Sequence, residues 1–298
     1  MRADLALPFA LALAATLAGC GSSGSGPPEP VGTTPIAGWE GRLTTYRLTS
    51  TVPGIASRDV TVLVPPGYAD AAAASTRYPV LVMHDGGNCL DHDGFGHGGW
   101  RVHTISQDLI GRGLMAPAIF VLVANDQAHR GEEYVPGLGT APGPTADGYL
   151  DFLEADVLPF VERHYRTLPG AAHRGLGGSS YGGVISLYGA WTRPSTWGFA
   201  MAMSTAFHGD FTVAGFTALV AGTPVKPALR LYLDSGTVDW SGGDDGKADT
   251  EAARDVLVAK GFVLGTDLMH YVAVGQNHSE DYWRTRLPLA LPFLLPPP

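Results

Sequence analysis

The chain has 298 residues, 45% hydrophobic and 16% charged, which is enough apolar material for a sizeable core and excludes intrinsic disorder over most of its length. Nineteen basic residues against 28 acidic ones give a formal charge of −9, which argues against nucleic acid as a partner and against electrostatic adhesion to anionic membranes. Two cysteines exclude a disulfide-stapled scaffold and a multi-cysteine zinc site.

In chain order, a short polar start, Met1 to Asp4, is followed by a mostly apolar run from Leu5 to Leu17. That run is too short for a bilayer span, which needs about 20 residues, and suits the core of a signal peptide. It ends in Leu17-Ala18-Gly19-Cys20. This ending resembles the bacterial lipoprotein signal, in which the cysteine is acylated and becomes the new N-terminus. The rival is an ordinary secretory signal with Cys20 beside the cut by chance, giving a secreted or periplasmic soluble protein. Gly21 to Pro35 is Gly, Ser, Pro and Thr with one Val and a single charge at Glu29 and reads as a tether spanning roughly 20 Å r.m.s.. The expected organisation is a signal peptide over 1–19, a lipidated Cys20 and tether over 20–35, and one folded domain over 36–298. A lipid anchor at Cys20 leaves Cys89 as a lone thiol; a Cys20–Cys89 bridge is the alternative.

Arg42 to Thr51 and Arg58 to Val64 are rich in Thr and Val, with a break at Pro53-Gly54, and predict two strands. Tyr78 to Met83 and Ala118 to Val123 are continuous apolar runs, as in strands buried on both faces. Val102 to Leu114 between them has helical character. Asp147 to Tyr165 spaces Leu150, Phe152, Leu153, Val157, Leu158, Val161 and Tyr165 as an amphipathic helix. A short strand near Arg174 to Gly177, a helix from Tyr181 to Trp191, and strands at Phe199 to Met203 and Leu229 to Leu233 follow. A helix over Ala248 to Lys260, a strand over Leu268 to Val274 and a helix from Ser279 complete the chain, with Leu287 to Leu295 as its buried end. Buried strands alternating with helices predict an α/β sandwich, a mostly parallel sheet with helices on both faces.

The segment Gly178-Ser179-Ser180-Tyr181-Gly182 is G-x-S-x-G, centred on Ser180. A strand must turn directly into a helix with the serine at the apex, and small residues two before and two after let the neighbouring backbone come close. The helix N-terminus then directs N–H groups at the place where an oxyanion forms. Ser180 is the expected nucleophile.

The partners of such a serine follow it as acid and then histidine. Of His208, His270 and His278, only His278 lies in a loop after a late strand, and it is the expected general base. Candidate acids after Leu229 to Leu233 are Asp234, Asp239, Asp244, Asp245 and Asp249. Asp234 ends the strand; Asp244, Asp245 and Asp249 look like turn and helix-capping residues. Asp239 has the reach and is preferred. The loop His84-Asp85-Gly86-Gly87-Asn88 follows an earlier strand, so the backbone N–H groups of Gly87 and Tyr181 are the expected oxyanion donors.

Together these residues resemble a family of α/β-hydrolases that includes esterase D, feruloyl esterases, enterochelin esterases and the mycolyltransferases. The resemblance covers nearly all of residues 40–295. It rests on Met83-His84-Asp85-Gly86-Gly87-Asn88, Val64-Pro65-Pro66-Gly67-Tyr68, Arg130 with Glu133-Tyr134, Pro159 to Thr167, Leu233 to Asp239, and Asn277-His278-Ser279 with Trp283. It implies the α/β-hydrolase fold and an acyl-enzyme mechanism, with the second aspartate of the Asp234 to Asp239 segment as the acid. The family's substrates are esters of sugars, phenolic acids, siderophores or thiols.

His84, Asp91, His92, Asp93, His97 and His103 crowd into one stretch, but Val102 stands where a calcium loop needs its twelfth ligand, and there is no H-E-x-x-H. No metal or cofactor is expected. Candidates to line a substrate pocket are His84, Asp85, Trp100, Arg130 and Trp240. The expected function is a serine esterase acting on a carbohydrate, aromatic or siderophore-type ester, with membrane contact through Cys20 only. The alternatives are an acyltransferase on the same site, or a non-catalytic binding lipoprotein.

Overall fold

The computed structural model describes residues 30–31, 42–92, 96–238 and 243–297. The expected signal peptide, Cys20 and nearly all of the expected tether lie outside the described residues, as do Asp93, Asp239 and Trp240. Among the described residues eight strands form one sheet: β1 Arg42–Leu48, β2 Arg58–Val64, β3 Val80–Met83, β4 Ile119–Val123, β5 Arg174–Ser179, β6 Phe199–Met203, β7 Arg230–Gly236 and β8 Leu268–Ala273. Their spatial order is β1-β2-β4-β3-β5-β6-β7-β8. Only β2 runs against its neighbours; β4-β3-β5-β6-β7-β8 are mutually parallel.

The apolar runs are explained by burial on both sheet faces. Every residue of β3 and β4 is buried. Successive side chains alternate between two cores: Val80, Val82, Ile119 and Val121 join one, while Leu81, Met83, Phe120 and Leu122 join the other. The helices are α1 Val102–Gly111, α2 Arg130–Tyr134, α3 Ala146–Phe152, α4 Leu158–His164, α5 Tyr181–Thr192, α6 Val213–Gly222, α7 Lys247–Ala259 and α8 Glu280–Leu294. α1 and α8 pack into the second core, through Val102, Leu109, Leu287 and Leu291. α3, α5, α6 and α7 supply the first, through Leu150, Val184, Phe216 and Leu257. Each buried aliphatic side chain of this kind contributes roughly 1.5–3 kcal/mol relative to exposure.

The helix expected over Asp147 to Tyr165 is α3 and α4 joined by a π-helical stretch, Leu153–Val157. Pro159 sits in the first turn of α4. Its ring cannot tolerate the carbonyl four residues back in a regular helix, and one widened turn relieves the clash. α2 and α6 were not anticipated. α2 is a short segment held by a buried pair: Arg58 Nη1 and Nη2 donate to Glu133 Oε2 and Oε1 at 2.6 and 2.5 Å. α6 is capped by Thr212, whose side chain accepts from the Gly215 N–H.

Because β3 to β8 are parallel, their carboxyl ends open on one edge of the sheet. The loops after β3, β4, β5, β7 and β8 therefore meet there, and that edge carries the site.

Candidate active site

Ser180 lies between β5 and α5 with φ 56° and ψ −125°, a conformation that L-residues rarely adopt. It is held from both sides: its N–H donates to Met203 O at 3.0 Å, and its carbonyl accepts from Gly183 and Val184 N–H at 3.0 and 3.2 Å. The flanking glycines are required by the close backbone approach. A Cβ on Gly178 would stand 2.9 Å from the Gly182 backbone. As the first residue of α5, Tyr181 has an N–H without an intrahelical acceptor.

His278 lies in the loop between β8 and α8. Its Nδ1 donates to Asp245 Oδ1 at 2.6 Å. Among the described residues Asp245 is the carboxylate that meets His278, and Asp239, the expected acid, lies outside them. Asp245 is a turn residue, as its neighbours suggest, with φ 55°. That left-handed turn swings its side chain inward under His278, while Asp244 does the capping and accepts from the Lys247 and Ala248 N–H groups. The other oxygen of Asp245, Oδ2, accepts from Ser204 Oγ at 2.6 Å and from the Gly236 N–H at 2.5 Å.

Ser204, at the carboxyl end of β6, was not singled out in the sequence. It is buried and joins several elements: besides donating to Asp245, its Oγ accepts from Trp283 Nε1 at 2.9 Å and Arg286 Nη1 at 3.2 Å. Arg286, also buried, donates to Asp234 Oδ1 at 2.7 Å. Asp234 further accepts from Tyr232 Oη at 2.8 Å and the Ser204 N–H at 3.1 Å. Asp234 is thus engaged beneath the site, and burial pushes its carboxyl up despite the nearby Arg286. Trp283 meets the His278 ring edge-on, centroids 4.9 Å apart.

The loop after β3 turns at Asp85 (φ 52°) into a 3₁₀ turn, Gly86–Asn88. Asp85 Oδ1 and Oδ2 accept from Arg130 Nε and Nη2 at 2.7 and 2.8 Å, and Oδ1 also accepts from Asn125 Nδ2 at 2.5 Å. The Asp85 N–H donates to Tyr134 Oη at 3.2 Å. The Arg130, Glu133 and Tyr134 element therefore braces this loop.

A cavity of about 730 Å³ is lined by Ser180, His278, Gly87, Asp85, Arg130 and Trp283, with Asn88, Asn125, Gln127, His97 and Glu280 completing a wall of mixed polar and apolar surface. Of the expected pocket residues, Asp85 and Arg130 line it. His84 and Trp100 do not, and the expectation is corrected for both. His84 faces the core behind the loop, with Nδ1 2.9 Å from Tyr149 Oη, and burial drives its pKa down to about 3. Trp100 packs on Trp283, ring centroids 5.8 Å apart. Trp240 lies outside the described residues. The histidine-rich stretch is spread over separate contacts: His103 Nε2 lies 3.3 Å from Asp91 and His97 Nδ1 3.7 Å from Asp281. Among the described residues no group of three or more His, Cys, Asp or Glu could hold a metal ion.

A serine at a strand–helix apex, a carboxylate after β7 and a histidine after β8, on this order of strands, define the α/β-hydrolase fold. Residues 56–294 match the family model described as "Putative esterase". The chain belongs to that family and is a carboxylic ester hydrolase. Among solved structures it is similar to a ferulic acid esterase, at 19% identity and TM-score 0.65, covering 86% of this chain and 98% of that one. It is also similar to an S954A mutant of the feruloyl esterase module from Clostridium thermocellum complexed with sinapinate, at 20% identity and TM-score 0.64, covering 87% and 89%. Enterochelin esterase from Shigella flexneri matches at 21% identity and TM-score 0.63, covering 90% of this chain but 59% of that one. The chain thus spans about three-fifths of that longer protein.

Proposed function

We propose that the protein is a serine esterase acting through an acyl-enzyme, with Ser180 as nucleophile, His278 as general base and then general acid, and Asp245 as the residue that orients the imidazole. The observation that carries this reading is that Ser180 and His278 line one cavity while Asp245 accepts from His278 Nδ1 at 2.6 Å. With Nδ1 so engaged, Nε2 is the nitrogen that exchanges a proton with the serine. Ser180 Oγ adds to the ester carbonyl carbon as its proton passes to His278. The carbonyl oxygen becomes an oxyanion received by the N–H groups of Gly87 and Tyr181. The bond to the alcohol oxygen then breaks and that oxygen takes the proton from His278. Water repeats the sequence on the acyl-enzyme, releasing the acid and restoring Ser180.

The wall sets the side chains of Asn88, Asn125 and Gln127 beside apolar surface such as Trp283, which suits an ester carrying a hydroxylated or aromatic group. We assign the substrate to the carbohydrate, aromatic or siderophore-type esters. Hydrolysis of p-nitrophenyl acetate, of feruloyl esters and of acetylated sugars by wild type and Ser180→Ala tests this. Loss of all turnover in the variant is expected; turnover at the wild-type rate contradicts the reading. Product analysis with an added alcohol separates hydrolysis from acyl transfer. We further propose that Cys20 is acylated and holds the enzyme at the bacterial cell envelope; Cys20→Ser is then expected in the soluble fraction, and its retention on membranes contradicts acylation.

A further inference from the structure

We propose that Arg130 is a positioning residue that fixes the two halves of the oxyanion hole relative to each other. This rests on the reading of Gly87 and Tyr181 as the donors. Their N–H groups come from loops far apart in sequence, after β3 and after β5, and the β-ladder ends below both. Something above the sheet must set the gap between them.

Arg130 touches both halves. Its Nε and Nη2 grip the Asp85 carboxylate at 2.7 and 2.8 Å, two residues before Gly87. Its guanidinium carbon also lies 5.4 Å from the ring centroid of Tyr181 and 5.3 Å from that of Tyr134. The Tyr181 ring is in turn stacked on His208, centroids 6.0 Å apart at 25°. A planar cation with a bidentate carboxylate on its edge and aromatic rings against its face has little freedom to move.

The grip acts where the backbone needs it. Asp85 has φ 52° and ψ 46°, a left-handed conformation disfavoured for a residue with a Cβ. Its carbonyl accepts from the Asn88 N–H at 2.8 Å to close the turn that presents Gly87. Relaxation of Asp85 toward ordinary dihedrals would swing the Gly87 N–H out of line. There is also a charge argument. A Cβ on Gly182 would stand 3.3 Å from Asp85 Oδ2, so this carboxylate sits against the first turn of α5. Unneutralised, it would oppose a second negative charge forming on the substrate oxygen. Paired with Arg130, it does not.

The sequence suggests instead that Arg130 binds substrate, and the two roles differ in what they change. On p-nitrophenyl acetate, which carries no charged group for Arg130 to bind, a substrate-binding role leaves kcat intact. The experiment measures kcat, KM and the Ki of a trifluoromethyl ketone, which forms a tetrahedral adduct on Ser180. The variants are Arg130→Gln, Arg130→Lys, Asp85→Asn and Asp85→Asn/Arg130→Gln, each checked by thermal unfolding. Arg130→Gln is expected to lower kcat roughly 10- to 100-fold and to weaken the ketone by a similar factor, with KM little changed. Arg130→Lys should recover part of the loss, and the double variant should exceed Arg130→Gln because no bare carboxylate remains. If Arg130→Gln does not fold, the Lys variant carries the test, with a smaller loss in the same two quantities. A loss confined to KM, or an unchanged ketone Ki, overturns the proposal while leaving the esterase reading intact. If the ketone fails to inhibit wild type, the reading of the site itself falls, and the proposal with it.

Discussion

Asp245 and His278 form an asymmetric pair: the carboxylate is wholly buried, the imidazole is about a quarter exposed, and 2.6 Å separates Oδ1 from Nδ1. The buried partner is rigid, because Ser204 and the Gly236 N–H hold its second oxygen. The exposed partner can meet substrate. An orienting acid works in this way, by holding one tautomer and one ring direction and stabilising the imidazolium when it forms.

Asp245→Asn should therefore lower kcat by about 10³–10⁴-fold. Asp239→Asn should leave kcat near the wild-type value. Asp234→Asn should act on stability, because it takes from the buried Arg286 its nearer carboxylate, at 2.7 Å against 3.7 Å for Asp245 Oδ2, a loss of up to about 3–5 kcal/mol. Steady-state kinetics and urea unfolding of the three proteins check this, and a larger kcat loss in Asp239→Asn would reinstate that residue as the acid.

Ser204→Ala tests the layer beneath. It strips Asp245 of a donor at 2.6 Å and leaves Trp283 Nε1 without its acceptor. Orphaned buried groups cost about 1–3 kcal/mol, and a looser Asp245 should lower kcat roughly tenfold. Unfolding midpoints and kcat measured together are expected to fall together.

Much of this arrangement is legible in the sequence, and the unread parts have physical reasons. β2 runs over Arg58–Val64, where the Thr- and Val-rich run after Pro53-Gly54 puts it, and α5 begins at Tyr181, where G-x-S-x-G puts it. The placement of His278 follows from strand order alone. The contact of Asp245 with His278 did not follow, because Asp244-Asp245-Gly246 has the composition of a turn, and it is one. Nothing in composition distinguishes Asp244, which caps α7, from Asp245, which reaches under His278; the sign of one φ decides it. A usable clue was Gly236, where a Cβ would stand 2.8 Å from Asp245 Oδ2, although that reason is visible only in three dimensions. α6 is not legible because Gly215 and Thr217 interrupt an otherwise apolar segment. α2 is too short for periodicity, and the Arg58–Glu133 pair that holds it spans 75 residues.

Acid stability should report on His84. Burial lowers its pKa from 6.5 to about 3, outweighing the opposing pull of Asp85. Between those values the unfolded chain binds a proton that the folded protein does not. Stability is then complete above about pH 6.5 and falls as the pH drops toward 3, with a slope of about 1.4 kcal/mol per pH unit for each such proton. His270, lowered to about 4 by burial and then by Arg254, adds to the trend in the upper part of the window. Urea titrations from pH 7.5 to 4.5 should show the slope, and His84→Gln should reduce it by up to one proton. An unchanged slope in that variant would place the proton uptake elsewhere.

Cys89 is a buried free thiol beneath the Asp85 loop, its Sγ 3.7 Å from His84 O and 3.8 Å from Asp85 O. Burial pushes its pKa up, with Asp85 and Glu280 adding to the effect. A thiol kept protonated and out of solvent does not attack a disulfide reagent. Native Cys20→Ser protein, in which Cys89 is the one cysteine left, should leave Ellman's reagent unreacted, and denaturation should release the thiol. Rapid labelling in the native state would show that the loop opens.

The central claim, that Ser180 is the nucleophile, is tested most directly by peptide mapping after labelling with a fluorophosphonate. The account predicts one adduct, on the peptide containing Ser180, and no adduct in Ser180→Ala. An adduct on another residue, or undiminished labelling of Ser180→Ala, would contradict it.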